Sequence, residues 1–516
     1  MGRMSTPVLV GTGPLSRPDV VSVARDGAMV ELDDTAVAAI ESTRGVIDKL
    51  AASATPAYGV STGFGALATR HIEPAKRTAL QKSLIRSHAA GSGPPVETEV
   101  VRALMLLRLS TLATGHTGVR LETVRTLVAL LNTGLTPVVR EYGSLGCSGD
   151  LAPLAHCALA LMGEGEVTDA TGAVRPAAEA MSDNGIEPIV LAEKEGLALI
   201  NGTDGMLGML TLALADLDVV LRTADIAAAM SIEGLLGTDR ILAADLQALR
   251  PHPGQALVAA NMRAVLAGSP IVASHRGPED PRVQDAYSLR CAPQVHGAAR
   301  DTAEHAAVVA ERELASAVDN PVVLDDGRVE SNGNFHGAPV AYALDFLAIP
   351  VADVASMSER RTDRFLDPAR SHGLPPFLAD DPGVDSGHMI AQYTQAAMVS
   401  ELKRLAVPAS VDSIPSSAMQ EDHVSMGWSA ARKLRKAVDL LARVTAIEVV
   451  TAARGIDLRA PLEPSIATGA VIAALRERVD GPGPDRFLAP DIETTTELVR
   501  TGAIVAAAQT ATGALS

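Results

Sequence analysis

The core of this chain has to be built almost without aromatic rings. Five Tyr, six Phe and one Trp are spread over 516 residues, while apolar residues of all kinds make up 47%. That apolar fraction can fill a large core, and it excludes a disordered chain, which needs low hydrophobicity and high charge. The space that rings would occupy goes instead to Ala, Leu, Val, Ile and Met. Small and unbranched side chains favour helices and let them approach closely, so a mainly α fold is expected.

The pattern along the chain agrees. Residues 208–234 are apolar nearly all round, and Asp218 and Arg222 stand one turn apart, where they can pair. Other helical patterns run over about 101–113, 296–317, 338–360, 387–406, 429–453 and 493–511, and Pro350 is expected to kink one of them. The first 202 residues are more mixed. They hold β-like pieces (PVLV, AMVEL), a helix capped at Asp33/Asp34 that runs to about Ala52, and a Gly/Ser/Thr loop at 56–66. PVVL-DDG-RVE at 321–330 reads as a hairpin that holds the loop SNGNFHG behind it. The expected organisation is a smaller mixed N-terminal region, 1–202, and a long central helical bundle with C-terminal helices, 203–516.

Charge and cysteine narrow the partners. Lys+Arg 44 against Asp+Glu 61 gives a net charge of −17, a poor match for a phosphate backbone, so no nucleic acid partner is expected. No uninterrupted apolar run approaches the ~20 residues of a membrane span. The first thirty residues lack a signal-peptide core. The three cysteines, Cys147, Cys157 and Cys291, form no CxxC, which fits a reducing cytoplasm without disulfides or zinc. GFGALA at 63–68 lacks the apolar strand that a dinucleotide fingerprint needs, and no HExxH occurs. No metal and no external cofactor are expected.

The segment GSLGCSGDLAPLAH at 143–156 carries the chemistry. Cys147-Ser148-Gly149 sits between Gly146 and a helix start, where Asp150 can be the N-cap and Pro153 falls in the first turn. A helix N-terminus surrounds such a tripeptide with a positive field. This string, with YGVSTGFG at 58–65, RSHAAG at 86–91, NGTDG at 201–205, QDAYSLR at 284–290, SNGNFHG at 331–337 and QEDHVSM at 420–426, closely resembles the motifs of the aromatic amino-acid ammonia-lyase family. The resemblance covers nearly the whole chain.

The resemblance implies a prosthetic group, 4-methylideneimidazol-5-one (MIO), formed without an enzyme from Cys147, Ser148 and Gly149. The Gly149 nitrogen attacks the carbonyl carbon of residue 147, loss of one water closes the ring, and loss of the Ser148 hydroxyl as a second water leaves an exocyclic methylidene. Gly149 suits this because nothing shields its nitrogen. Cys147 stands where Ala is common; only its carbonyl takes part. The same resemblance implies that Tyr58 is the base, that Arg290 binds the substrate carboxylate with help from Gln284, and that Tyr287 lies near the MIO. Asn201 is implied to hydrogen-bond the MIO or substrate, and Phe335 to border the pocket. Phe64 shares the loop of Tyr58.

Within that resemblance, His88 in RSHAAG matches the form found in members that act on histidine, and Glu421 in QEDHVSM stands where members that act on phenylalanine or tyrosine tend to carry an amide; together they imply an imidazole substrate. A carboxylate can accept an imidazole N–H, whereas a phenyl ring would leave it buried and unpaired. The expected reaction is deamination of L-histidine to trans-urocanate and ammonia, and the resemblance implies a homotetramer. The alternatives are a tyrosine or phenylalanine lyase or aminomutase with the same group, or a catalytically silent helical assembly protein.

Overall fold

A computed structural model describes residues 6–53, 57–63, 65–277 and 283–516. Phe64 lies outside the described residues. The fold is mainly α, and it divides into two compact units, each drawn from three stretches of chain. One comprises Met1–Leu212, Ala307–Leu344 and Ala409–Arg432; the other comprises Ala213–Ala306, Asp345–Pro408 and Lys433–Ser516.

The first unit is the mixed one. Strands Val8–Val10 and Val30–Leu32 pair in parallel. Ser16 opens the helix Arg17–Arg25 with a reciprocal capping box, and the Asp33 carboxylate caps Asp34–Ala52. Thr98–Ala113 is the buried helix that its sequence announces, with every residue from Val100 to Ala113 out of water. Val322–Val323 and Val329–Glu330 form the expected antiparallel hairpin. Tyr142, unassigned from sequence, lies against Gly93, where a Cβ would come within 2.7 Å of the ring. The chain's one tryptophan is buried. Trp428 donates its indole N–H to the Glu141 carbonyl (2.7 Å) and packs on Gly205, whose missing Cβ would meet the ring at 2.4 Å.

The second unit is a bundle of helices packed through small residues. Gly254 and Gly297 let Pro253–Leu266 and Ala292–Leu314 touch through their backbones: a Cβ on Gly297 would stand 2.3 Å from the Gln255 nitrogen. Phe365, fully buried, fits a socket made by Gly234 and Gly455, where added Cβ atoms would approach it to 2.6 and 2.5 Å. The paired Asp218 and Arg222 side chains are found as expected. Ala338–Leu366 contains Pro350 and still continues as helix to Leu366. Among the described helices, this one alone has the length and mean hydropathy of a membrane span, and 61% of its most apolar window is buried inside the protein. The helix expected over 493–511 is instead two, Ala489–Arg500 and Ala503–Thr512. Gly502 takes a left-handed φ of 74° between them, which a continuous helix does not allow.

Buried charge ties the bundle together. Arg361 is fully buried and makes a two-pronged pair with Glu448 (2.5 and 2.9 Å), and it also donates to the Ser288 carbonyl (3.1 Å). Ser231 adds a hydroxyl donor to Glu448 at 2.7 Å. Removing one partner of such a pair strands the other without solvent. Arg361→Met is expected to destabilise the fold by about 3–5 kcal/mol, read as a clear drop in melting temperature by calorimetry. An unchanged melting temperature would refute this account of the pair.

Candidate active site

Hydrogen bonds on both flanks fix the tripeptide Cys147-Ser148-Gly149. On the N-terminal side, the Gly146 carbonyl accepts from the Ser425 hydroxyl (2.8 Å) and the Gly337 N–H (3.2 Å), and the Leu145 carbonyl accepts from the Met426 N–H (2.9 Å). On the C-terminal side, the Asp150 N–H donates to the Gly202 carbonyl at 2.7 Å. Gly149 itself has φ 75°, and a Cβ there would lie 2.0 Å from the Gly202 oxygen. No residue with a side chain fits this position.

Asp150 differs from its expected role. It precedes Leu151–Leu161, but its carboxylate makes no capping bond to that helix. The group is fully buried, and it reaches the first turn of Asp204–Gly234 instead, accepting from the Met206 N–H (2.9 Å) and the Ser144 hydroxyl (2.8 Å). Burial pushes its pKa up to about 7.

Glu421 faces the tripeptide. Its Oε1 accepts from the Ser148 hydroxyl (3.3 Å); its Oε2 accepts from the Cys147 thiol (3.3 Å) and the Ser416 hydroxyl (3.0 Å). The turn that carries it is tight. Ser416 and Glu421 bridge through their backbones, and Ser417, Ala418 and Met419 between them have φ of 51°, 53° and 69°. Three successive left-handed residues without glycine store about 1–2 kcal/mol each, a pattern found where a site needs a particular backbone path. Gly65 packs on this turn, since a Cβ on it would meet the Ser417 hydroxyl at 2.9 Å.

Gly65 also joins the turn to Tyr58, whose hydroxyl accepts the Gly65 N–H at 3.3 Å. Burial raises the Tyr58 pKa above its ordinary value, and the negative charges of Glu421 and Asp319 push it further up. In this state the phenol keeps its proton, the opposite of the lowering a base would need on its own. Asp319 is paired with Lys194 at 2.5 Å, both fully buried. His88 ends the helix Arg77–His88, and its Nδ1 lies 2.9 Å from the Leu84 carbonyl, so Nδ1 carries the proton and donates. Burial lowers its pKa, partly offset by that bond and by Glu421, which leaves a neutral ring.

Asn201 is 3% exposed. Its Nδ2 donates to the Asn320 carbonyl (3.1 Å), and its Oδ1 is buried without a partner. Arg108, one of two buried arginines in the helix Thr98–Ala113, donates to the carbonyls of Asn201 (2.9 Å) and Val318 (2.8 Å). Phe335 is half-buried and lies two residues before the Gly337 anchor. The ring of His336, next to it, stacks on that of His423 at 5.6 Å.

The first unit therefore brings Tyr58, His88, Cys147, Ser148, Gly149, Asn201 and Glu421 into one connected set, with Phe335 on an adjoining loop. Gln284, Tyr287 and Arg290 belong to the second unit. There the Tyr287 ring is 69% exposed, and the Arg290 guanidinium lies 4.6 Å above it. The Arg361 donation to Ser288 holds this turn from beneath. Gln284 and Arg290 line a cleft of about 450 Å³ with Arg240, His275 and Arg276. The Arg290 Nε is buried without a partner. Sequence reasoning missed Ser416, Lys194, Asp319, Trp428 and Arg108; of these, Arg108 carried a signal, a charge deep within a mostly apolar helix.

The chain matches the family model described as aromatic amino acid lyase over residues 15–477. It is 67% identical over 509 residues to a histidine ammonia-lyase of Streptomyces coelicolor, covering 98% of this chain and 99% of that one. Its fold is similar to that of a tyrosine aminomutase from Streptomyces globisporus, with TM-score 0.94 and 37% identity over 99% of this chain and 100% of that one. It is also similar to a histidine ammonia-lyase from Trypanosoma cruzi, with TM-score 0.90 and 41% identity over 98% and 95% of the two chains.

Asp150 makes stability depend on pH in an unusual direction. Folded, it holds its proton up to about pH 7; unfolded, it releases it near 3.8. The folded state thus binds the extra proton between those values, and this contribution to stability is lost as pH rises through the window. The melting temperature of the wild type relative to Asp150→Asn is expected to fall from pH 5 to pH 7 and then level off; a difference that does not change with pH would contradict the assignment.

Proposed function

The chain belongs to the aromatic amino acid lyase family, and from that membership we propose that it deaminates L-histidine to trans-urocanate and ammonia without oxidation. The observation that carries the substrate reading is Glu421, a carboxylate held against the tripeptide beside a neutral His88. Its Oε1 can accept an imidazole N–H, whereas a phenyl ring offers this half-buried carboxylate no donor.

The family in general depends on MIO, and the residues here suit it. Cys147 would supply the carbonyl carbon, Ser148 the β-hydroxyl and Gly149 the unshielded amide nitrogen. The absence of any room for a Cβ at Gly149 and the unpartnered Oδ1 of Asn201 both support a group built at this point. When formed, MIO supplies an electrophile for the substrate amine and so makes the amine a leaving group.

The remaining work falls to side chains of this chain. Arg290 and Gln284 would hold the substrate carboxylate, with Arg290 oriented by its stacking on Tyr287. Tyr58 would take the Cβ proton. Its raised pKa reflects burial and the charges of Glu421 and Asp319, and a cationic substrate beside Glu421 offsets that field. Asn201 would give its free Oδ1 as an acceptor, and Phe335 would border the ring.

A homotetramer accounts for apolar side chains that otherwise face water. Phe346 and Ile349 are 49% exposed on Ala338–Leu366, and Ile390 and Tyr393 are 59% and 61% exposed on Met389–Leu405.

Three measurements test the reading. The intact mass should be below that of the plain sequence by two waters, about 36 Da; Ser148→Ala should restore the plain mass and remove activity while the protein stays folded. Glu421→Gln should keep the two-water loss and lower histidine turnover by at least about tenfold. A Glu421→Gln protein that turns over histidine as well as the wild type would defeat the imidazole argument.

A further inference from the structure

The Cys147 side chain has no part in the proposed chemistry, because only its carbonyl enters the ring. Yet its thiol is buried and its Sγ lies 3.3 Å from Oε2 of Glu421. The same oxygen receives the Ser416 hydroxyl at 3.0 Å, while the Ser148 hydroxyl goes to the other oxygen, Oε1, at 3.3 Å. The three donors are thus divided between the two oxygens. Cyclisation would consume the Ser148 hydroxyl and free Oε1. It would leave both donors on Oε2 in place.

We propose that Cys147 and Ser416 are positioning residues for substrate recognition: together they anchor Oε2 of Glu421, so that Oε1 is the oxygen presented to the imidazole N–H. The proposal rests on the reading of Cys147-Ser148-Gly149 as the source of the prosthetic group and of Glu421 as the imidazole partner. An S–H is a weak donor between neutral groups, but an ionised acceptor strengthens it. Burial and the neighbouring Glu421 push the Cys147 pKa up to about 12, so the sulfur is a thiol that donates. The anchored turn adds to the effect. Ser416 and Glu421 are tied through their backbones, and a carboxylate fixed at both its backbone and one oxygen has little freedom left to lose on binding. A residue that lacks a donor at 147 would leave that oxygen to Ser416 alone.

The test is steady-state kinetics with L-histidine on the wild type, Cys147→Ala, Cys147→Ser and Ser416→Ala, with intact mass taken for each. Cys147→Ala and Ser416→Ala are expected to keep the two-water loss and to raise KM about threefold to tenfold, the worth of one ordinary hydrogen bond, with a smaller change in kcat. Cys147→Ser keeps a donor and should recover most of the lost affinity. On a Glu421→Ala background, which removes both oxygens, Cys147→Ala should have no further effect on KM. If Cys147→Ala fails to cyclise, the Ser416→Ala and Cys147→Ser proteins decide the matter by the same KM criteria. Unchanged KM in the cyclised variants, or a KM effect of Cys147→Ala that persists without Glu421, overturns the anchor alone. A wild type that releases no urocanate overturns the anchor together with the substrate reading on which it rests.

Discussion

Gly149 and Gly202 meet backbone to backbone, with no volume between them for even one methyl group. Much of the first unit serves that contact. Asp150 bonds Gly202 through its N–H and grips the first turn of Asp204–Gly234 through its carboxylate. Arg108 holds Asn201, one residue away, by its carbonyl. Trp428 closes over Gly205, and Gly337 and Ser425 fix the Gly146 carbonyl from the other side. A tripeptide clamped in this way has its nitrogen and carbonyl held in a bend before any chemistry occurs, which is how a fold can lower the entropy of a ring closure.

The second constraint is electrostatic. Burial holds the phenol of Tyr58 in its neutral form, and the charges of Glu421 and Asp319 add to the effect. His88 is neutral as well, with its donor spent on Leu84. Asp319 is offset by Lys194, so the negative charge left to this set is that of Glu421, at the point where a cationic ring would bind. On the proposed reading, a substrate that brings positive charge would both satisfy Glu421 and favour the phenolate of Tyr58, the form that accepts a proton, so recognition and reactivity would be coupled through one field.

The scarcity of rings takes on a sharper meaning in the fold. Phe365 fills a socket of two glycines, Trp428 lies on Gly205 and Tyr142 on Gly93, so these rings sit where the opposing backbone has given up its side chain. The bland composition was enough to read the helices, because their period is local; the hairpin at 321–330 and the buried helix Thr98–Ala113 were legible for the same reason. The motif around Ser148 was legible because its residue types are chemically constrained. What could not be read were long-range choices. Asp150 has the local pattern of an N-cap, but a distant backbone donor wins because the group is buried. Ser416 belongs to no motif; its role follows from a left-handed turn that no propensity predicts. The assembly of each unit from three separate stretches likewise depends on contacts that a linear pattern does not contain.

The central claim is that one carboxylate, fixed against Cys147 and Ser148, selects an imidazole-bearing amino acid. Assaying the purified protein with L-histidine, L-tyrosine and L-phenylalanine side by side tests it most directly. The account predicts urocanate from histidine with kcat/KM at least about a hundredfold above that for either other substrate, and no β-amino acid product. Coumarate or cinnamate formed at a comparable rate, or a β-amino acid as the main product, would contradict it.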